Sequence, residues 1–303
     1  MRRAIPILIL CVLTIAGTAA GRQFAGTVSA GGNSRLRPAD GTGKSASVPQ
    51  WLIGHSGKKG ICLGGGLGGR TWAQTIRLLH ARWVYNWELR PSGRLQQAVH
   101  FIPMVWGHRG ELPGDVAWLT GHGRNHRYRY LLAFNEPDNR TQSNMTVRRA
   151  LRHWPKLEST GMVLGSPACV HPDDRWMQAF MRGAVRQHYR VNFVCVHWYG
   201  PPSAASFLGM LRRTYAIYHR PIWITEFAVA DWGAGRKRPN RYPPAVVARF
   251  MRIVLPVLNE LKYIQCYAWY PYGSHGRYSA LGTSALFDAK GDLTPLGRIY
   301  AAD

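Results

Sequence analysis

From Lys59 onward, short apolar or β-branched runs alternate with amphipathic stretches along the chain. Runs of this kind are typical of strands that are buried on both faces of a parallel sheet. They predict eight strands, at Gly60–Gly64, Trp83–Trp87, His100–Val105, Tyr130–Phe134, Met162–Ser166, Asn192–His197, Ile222–Thr225 and Ile264–Trp269.

Between the strands, apolar residues recur at helical spacing, which predicts crossover helices. The predicted helices are Trp72–His80, Asp115–Leu119, Val147–Leu157, Arg175–Tyr189, Ser206–Tyr218, Ala245–Leu261 and Leu296–Ala301, with the weakest pattern at Leu95–Val99. Alternation of strand and helix predicts a parallel sheet of the α/β class. Eight such units favour a closed (β/α)8 TIM barrel, formed as a single domain by residues 59–303.

Residues 1–20 have the pattern of a signal peptide. Arg2 and Arg3 precede an apolar run, Ile5–Ile15, and small residues follow at 17–20. The run is short for a membrane span, so we expect cleavage near Ala20, with an uncleaved anchor as the alternative. Residues 21–58 are rich in Gly, Ser, Ala and Arg, which predicts a flexible linker rather than an ordered arm. The protein is therefore expected to be secreted, or periplasmic and associated with the cell envelope.

Four cysteines remain once Cys11 leaves with the signal peptide, and they show no C-x-x-C spacing. Their scatter argues against a zinc site, and the apolar runs around them favour buried thiols over disulfides. The sequence also lacks an H-E-x-x-H element. We therefore expect neither a metal nor a cofactor.

The chain is strongly basic, with a net charge of +24 and a pI of about 10.6. Nucleic-acid binding is therefore one hypothesis, and it predicts tight, salt-sensitive binding to DNA. The arginines are spread over the whole sequence, however, and no recognition helix, zinc finger or RNA-binding motif accompanies them. We expect no nucleic-acid partner, and instead a monomer whose charge allows association with an anionic cell envelope or an acidic polysaccharide.

Two of the six glutamates follow directly on predicted strands, Glu136 on the fourth and Glu226 on the seventh. The carboxyl ends of barrel strands form the mouth of an active site. Cleavage of a glycosidic bond needs such a pair, because one carboxyl protonates the leaving oxygen while the other attacks the anomeric carbon or activates water. Each glutamate also has a simpler interpretation, as a first-turn helix residue at Glu136 or an arginine-paired rim residue at Glu226. Glu88, after the second strand, is a rival for either role.

Other residues at strand ends are candidates for binding a sugar. His197 and Tyr199 share one face of the sixth strand by parity. A tyrosine hydroxyl there is placed to keep the nucleophile ionised, and the histidine to orient a sugar hydroxyl or tune the acid. Trp269 is expected to floor the sugar subsite, extended by Asn86, Trp87 and Trp106. For each tryptophan the alternative is core or rim packing, and for His197 it is a satisfied core histidine.

Together these motifs resemble glycoside hydrolase family 128, the Asl-like glycosyl hydrolase catalytic domain. The resemblance covers nearly all of the chain after the linker, through Lys58-Lys59-Gly60, Tyr85-Asn86-Trp87, Phe134-Asn135-Glu136-Pro137-Asp138, His197-Trp198-Tyr199-Gly200, Trp223-Ile224-Thr225-Glu226-Phe227, Ala268-Trp269-Tyr270 and Leu286-Phe287-Asp288. It implies a retaining endo-β-1,3-glucanase whose substrate is a β-glucan polysaccharide. It also implies Glu136 as acid/base, Glu226 as nucleophile, Asn135 at the sugar 2-hydroxyl and Tyr199 at the nucleophile.

Two alternatives to this function remain open from the sequence. One is a secreted, non-catalytic β-glycan-binding protein on the same barrel, although neither glutamate is missing. The other is a glycosidase for another β-linked or acidic envelope polysaccharide. The basic composition and Glu88, directly after Tyr85-Asn86-Trp87, are the features that leave this second alternative open.

Overall fold

Strands and helices alternate along the chain in a computed structural model that describes residues 57–107, 112–124, 128–273 and 276–303. The signal peptide expected at 1–20 lies outside these residues. The linker expected at 21–58 does too, except for Gly57 and Lys58. Among the described helices, none is long and apolar enough to cross a membrane.

The described residues contain parallel strands in the order that the apolar runs predicted. The strands are β1 Lys59–Cys62, β2 Trp83–Tyr85, β3 His100–Phe101, β4 Met104–Val105, β5 Tyr130–Asn135, β6 Val163–Ala168, β7 Val194–Gly200, β8 Ile222–Val229 and β9 Ile264–Trp269. They form one sheet in the order β3-β2-β1-β9-β8-β7 and a second in the order β4-β5-β6. The chain runs directly from β3 to β4, and single parallel bridges join β6 to β7 at Gly165–Phe193 and Cys169–Val196. The strands therefore follow one another in (β/α)8 order, with a hydrogen-bond ladder that is interrupted at two places.

Helices follow most of the strands, as the crossover pattern requires. They are α1 Trp72–Leu78, α2 Leu112–Arg124, α3 Val147–Glu158, α4 Arg175–Arg186, α5 Ala204–Tyr218, α6 Pro244–Glu260 and α7 Pro295–Ala302. Several begin at a residue whose side-chain oxygen accepts a first-turn N–H, namely Thr71, Thr146, Asp174, Ser203 and Thr294. Such caps satisfy amide groups that the helix itself leaves unpaired.

Two of the predicted elements were wrong. The helix expected at Leu95–Val99 is absent, because a run this short cannot offset the cost of helix nucleation. The third strand, expected as His100–Val105, divides into β3 and β4 at Pro103. Proline has no N–H to donate to a ladder. Its carbonyl still accepts the Leu132 N–H at 3.0 Å, which keeps the segment beside β5.

A cluster of aromatic rings fills the interior of the barrel. Trp223 lies 4.3 Å from Phe193, 5.1 Å from Tyr130 and 5.7 Å from Trp83, measured between ring centroids. The backbone approaches these rings closely at Gly60, where a Cβ atom would lie 2.2 Å from the Trp83 indole. Cys62, Cys169, Cys195 and Cys266 are buried free thiols, as the sequence favoured. Because these rings fill the interior of the barrel, a site is expected at the carboxyl ends of the strands.

Two lysines of the first strand region anchor the ends of the last helices. Lys58 Nζ donates to three carbonyls at the end of α6, Leu258, Asn259 and Leu261, at 2.6–3.1 Å. Lys59 Nζ donates to Tyr300 O and Ala301 O in α7 at 2.9 and 3.1 Å. A cation at a helix C-terminus satisfies unpaired carbonyls and complements the helix dipole. These contacts tie the outer helices to β1.

Candidate active site

Both glutamates lie where the strand geometry is irregular. Trp223 faces the barrel centre, so strict alternation along β8 would turn Glu226 outward. The pairing of β8 with β9 shifts between Ile224 and Phe227, and this irregularity turns the Glu226 carboxylate inward. At the end of β5, φ is positive at Phe134 (42°) and at Glu136 (40°). Backbone strain of this kind clusters at functional sites.

Three donors surround the Glu226 carboxylate, and the residue is only 5% exposed. The Tyr85 hydroxyl and the Trp87 indole N–H donate to Oε1 at 2.8 and 2.7 Å, and the Tyr199 hydroxyl donates to Oε2 at 2.5 Å. Burial, and then the charge of Glu226, hold the pKa of Tyr85 and that of Tyr199 well above the usual tyrosine value. Both hydroxyls therefore keep their protons and stabilise the ionised form of the carboxylate.

Glu136 has fewer donors and more solvent around it. Its Oε2 accepts from the Asn139 amide at 3.0 Å, and its Oε1 lies 3.1 Å from Nδ1 of His197. Its peptide N–H donates to Ala168 O at 2.8 Å, which ties it to the end of β6. About 12% of its side chain is exposed, against 7% for Glu226. Glu136 is thus the carboxyl better placed to exchange protons with water or a ligand.

The His197 ring is buried between the two carboxylates. Its Nδ1 faces Glu136, and its Nε2 lies 3.4 Å from Oε1 of Glu226. Burial alone lowers the pKa of His197, but the charge of Glu226 and the hydrogen bond and charge of Glu136 outweigh it, so the pKa is raised. One atom from each of these three residues lies within 4.8 Å of the other two. The ring can therefore hold a proton between the glutamates.

Within the described part of the chain, the same three atoms also have the spacing of a metal-ligand set. The donors around Glu226 argue against that use. A cation bound at Oε1 would face the Tyr85 O–H and Trp87 N–H protons, which already occupy this oxygen. The donor set fits a free carboxylate better than a metal ligand, and the expectation of a metal-free site remains a prediction.

Asn135 lies beside the pair and offers an unused acceptor. Its Nδ2 donates to Gln142 Oε1 at 3.2 Å, while its Oδ1 is buried without a partner among the described residues. Its peptide N–H donates to the carbonyl of Trp106, a half-buried residue just after β4. The geometry therefore leaves one amide oxygen of Asn135 available to a ligand hydroxyl.

The expectation that Trp269 floors the sugar subsite is wrong. Trp269 has no exposed surface, its ring packs 4.9 Å from Phe227, and its indole N–H donates to Ser284 O at 2.9 Å. Strand parity places it on the outer face of β9, between the barrel and its helices. The next residue, Tyr270, faces the site instead, 5.7 Å from the Tyr199 ring and 6.2 Å from the Trp87 ring.

Asn86 was expected to extend the sugar subsite, and this prediction is also wrong. Its amide donates to Arg90 O and Ser92 Oγ, and its carbonyl accepts the Glu88 N–H, so the side chain organises its own loop. It is 4% exposed. Glu88 itself is exposed and outside the carboxylate cluster. Neither residue therefore supplies a polar group to the pair.

Besides Tyr270, the sequence-based prediction missed three residues that the structure brings to the site. Tyr85 and Asn139 contact the carboxylates, and Trp232 donates its indole N–H to Tyr199 O at 3.0 Å. For Tyr85 a signal existed, because Tyr85 and Trp87 share strand parity at the end of β2. For Asn139 and Trp232 none did, because both lie in loops whose course depends on tertiary contacts.

Comparisons with known proteins agree with this geometry. The family model of the glycosyl hydrolase catalytic core matches residues 69–300. The solved structure of a glycoside hydrolase family 128 (subgroup I) endo-β-1,3-glucanase from Amycolatopsis mediterranei, in complex with laminaritriose, is 33% identical. It aligns with a TM-score of 0.67 over 81% of this chain and 98% of that one.

More distant relatives extend the comparison. A family 128 (subgroup III) curdlan-specific exo-β-1,3-glucanase from Blastomyces gilchristii, in complex with glucose, is 26% identical, with a TM-score of 0.63 over 82% of this chain and 99% of that one. Alkali-sensitive linkage protein 1 of Schizosaccharomyces pombe is 26% identical over 225 residues, 72% of this chain. The chain spans only 39% of the length of that yeast protein. From the matched family model, the 33% identical structure and the paired glutamates, we conclude that the chain belongs to the glycosyl hydrolase catalytic core family and, within it, to glycoside hydrolase family 128.

Proposed function

We propose that this glycoside hydrolase is an endo-acting β-1,3-glucanase that retains the anomeric configuration. The observation that carries the proposal is the asymmetry of the carboxylate pair. Glu226 accepts three hydrogen bonds from neutral donors, whereas Glu136 is more exposed and faces His197. The three donors around Glu226 suit a nucleophile that must stay ionised, and the less deeply buried carboxyl of Glu136 suits an acid/base.

The spacing of the pair supports retention. Retaining glycosidases hold their carboxyl groups roughly 5–5.5 Å apart, while inverting enzymes leave about 6.5–9.5 Å for a water molecule. Oxygens of Glu136 and Glu226 lie within 4.8 Å of each other, together with a nitrogen of His197. This separation matches the retaining geometry and falls short of the inverting one, so direct attack by Glu226 is favoured.

In the first step, a Glu226 oxygen forms a bond to the anomeric carbon as the glycosidic C–O bond breaks. Glu136 gives its proton to the departing oxygen, which leaves as a hydroxyl. The Tyr199 hydroxyl stays hydrogen-bonded to Oε2 while the Glu226 carboxylate becomes an ester. The product of this step is a covalent glycosyl-enzyme and a shortened chain.

His197 holds a proton for this step. Its raised pKa allows a charged ring, in which Nδ1–H donates to Glu136 Oε1 at 3.1 Å and Nε2–H faces Glu226 Oε1 at 3.4 Å. Transfer of the Nδ1 proton to Glu136 makes that carboxyl the acid while Glu226 stays ionised. This gives the protonation state in which attack and leaving-group protonation are both possible.

In the second step, Glu136 takes a proton from a water molecule whose oxygen attacks the anomeric carbon. The bond to Glu226 breaks and the carboxylate is regenerated, so two inversions give net retention. Asn135 Oδ1, buried and unpartnered among the described residues, supplies an acceptor for a hydroxyl of the bound sugar. Such contacts can strengthen in the transition state.

The substrate and mode of action rest on the relatives. The A. mediterranei endo-β-1,3-glucanase, solved with laminaritriose, supports an endo-acting enzyme on β-1,3-glucan, and the B. gilchristii exo-β-1,3-glucanase shows that the family also contains the other mode. We further propose export by the N-terminal segment. The charge of +24 then favours retention of the enzyme near anionic envelope polymers.

Product analysis tests this proposal. Wild-type protein is incubated with laminarin, curdlan, mixed-linkage glucan and cellulose, and the released oligosaccharides are separated by length. Internal cleavage of β-1,3-glucan gives a range of laminari-oligosaccharides, and the first product seen by ¹H NMR is the β-anomer. Glucose as the sole early product would replace endo by exo action, and an α-anomer would overturn retention.

Matched variants test the two assignments. Glu136→Gln and Glu226→Gln each remove a carboxylate without changing its shape, and each is expected to lose nearly all hydrolysis while keeping the wild-type melting temperature within a few degrees. Glu158→Gln on α3, whose Oε1 accepts the Arg190 N–H far from the pair, is the control and keeps full activity. Substantial activity in either of the first two variants would remove that residue from its role.

A further inference from the structure

An exposed tryptophan stands beside the residue that holds the nucleophile. Trp232 follows β8, and half of its surface is exposed. Its indole N–H donates to the carbonyl of Tyr199 at 3.0 Å, and its ring meets the Tyr199 ring edge-on at 6.1 Å. The polar edge of the indole is therefore occupied by protein, while an apolar face remains open to solvent.

Rings continue from Trp232 to the centre of the site. Tyr199 lies 5.7 Å from Tyr270, and Tyr270 lies 6.2 Å from Trp87. Tyr199 and Trp87 both donate to Glu226. Trp232 is the outermost member of this row, and half of its surface is exposed. It therefore extends the site away from the point of cleavage.

The loop that carries Trp232 is held in a single geometry. Asp231 is fully buried, and its carboxylate accepts the N–H groups of Gly233 and Arg241 at 3.2 and 2.9 Å and the Arg241 guanidinium at 3.1 Å. Its own N–H donates to Ala280 O at 2.9 Å. The Asn240 amide also donates to Ala280 O, at 2.9 Å. The loops after β8 and β9 are thus bound together, and the indole is presented on a preorganised support.

We propose that Trp232 is the platform of an outer sugar subsite, where it stacks against a glucosyl ring beyond the one being cleaved. The inference rests on the proposed glucanase activity and adds to it a requirement for chain length. A pyranose ring offers an apolar face of C–H groups, which matches a rigid aromatic face whose N–H is already satisfied. A neutral β-glucan long enough to reach Trp232 is therefore bound more tightly than a short one.

Two substitutions distinguish a role for Trp232 in stacking on a sugar from a role in positioning Tyr199. Trp232→Ala removes both the ring face and the hydrogen bond to Tyr199, whereas Trp232→Phe keeps a ring face and removes only the hydrogen bond. Tyr215→Ala, which removes an exposed ring on α5, serves as the control for loss of an exposed aromatic side chain. Steady-state kinetics are measured on laminaribiose through laminarihexaose, with wild-type protein in parallel.

For a platform, Trp232→Ala raises KM for laminarihexaose roughly tenfold, the size expected when one apolar ring face loses its partner. It changes kcat less than about twofold, leaves KM for the shortest cleaved oligosaccharide unaltered, and is largely rescued by Trp232→Phe. An equal loss of kcat on oligosaccharides of every length, with no rescue by Trp232→Phe, would overturn the proposal. It would indicate that Trp232 only positions Tyr199. Unchanged kinetics in Trp232→Ala would overturn it as well.

A binding measurement keeps this test separate from the proposed activity. Laminarihexaose is titrated into Glu136→Gln protein with and without Trp232→Ala, and Kd is measured by calorimetry. A roughly tenfold weaker Kd in the double variant supports the platform, and an equal Kd contradicts it. If wild-type protein cleaves no β-1,3-glucan, the proposed function fails, and this titration still decides whether Trp232 binds the sugar.

Discussion

The hydrogen bond from Tyr199 to Glu226 offers the sharpest test of how the nucleophile is kept ionised. Tyr85 and Trp87 both donate to Oε1, whereas Tyr199 is the donor to Oε2 among the described residues, at 2.5 Å. Tyr199→Phe keeps the ring and its contacts with Tyr270 and Trp232 but leaves Oε2 without this donor. The ionised form of the carboxylate is then less stable relative to the protonated form.

A hydrogen bond to a charged group contributes about 1.5–3 kcal/mol net, and about 1.36 kcal/mol corresponds to one pH unit. The acid limb of kcat/KM, which reports the free enzyme, should therefore move to higher pH by about one to two units. At the alkaline plateau the loss should be smaller, since the carboxylate is ionised there in both proteins. Tyr85→Phe should shift the limb less, because Trp87 still donates to Oε1.

The assay is kcat/KM on laminarin from pH 3 to 9, with circular dichroism at each pH to confirm folding. Tyr215→Phe, which removes an exposed hydroxyl on α5, controls for the loss of a tyrosine hydroxyl elsewhere. An acid limb that stays in place, or a loss of equal size at every pH, would refute the assignment of Tyr199 as the group that stabilises the carboxylate.

Three further predictions concern the rest of the fold and site. Trp269→Phe should lower the free energy of unfolding by about 1–3 kcal/mol in urea titrations, since it removes volume and the bond to Ser284 O, yet leave KM almost unchanged; a large rise in KM would restore Trp269 to the sugar subsite. Gly60→Ala should destabilise by about 1–3 kcal/mol, because the new Cβ atom meets the Trp83 indole; an unchanged urea midpoint would show that the ring moves freely. Dialysis against EDTA should leave hydrolysis of laminarin unaltered, because the protons of Tyr85 and Trp87 already occupy Glu226 Oε1; loss of activity that zinc or another divalent ion restores would establish a metal site.

Much of the architecture was readable from local patterns. Buried parallel strands leave continuous apolar runs, and amphipathic helices leave a helical period, so the order of elements followed from short-range physics. The wrong predictions fall where a single residue interrupts an apolar run or where a periodic run is too short. At Pro103 a missing N–H divided an otherwise strand-like run, and at Leu95–Val99 an apolar periodicity was too short to sustain a helix.

The candidate site was predictable in kind but not in detail. Strand parity on β7 correctly placed His197 and Tyr199 on one face, since both contact the glutamates. The sugar floor assigned to Trp269 was wrong, because the parity of β9 turns Tyr270 to the site. Asn86 resembled a ligand contact in sequence, but its amide is occupied by its own loop.

By itself, the sequence determined that two carboxylates would lie near the carboxyl ends of the fourth and seventh barrel strands, β5 and β8, because chain order and hydrophobic period locate each strand. Glu136 directly follows β5, whereas Glu226 lies inside β8, which continues to Val229. Only the tertiary structure decided that Glu226 would turn inward, through a register shift that no periodicity encodes. It also decided which glutamate would receive three donors and which would face His197. Those partners come from strands and loops far apart in the chain, and their meeting depends on closing the ring of strands. The difference between nucleophile and acid therefore arises from the neighbours that packing brings to two chemically identical side chains.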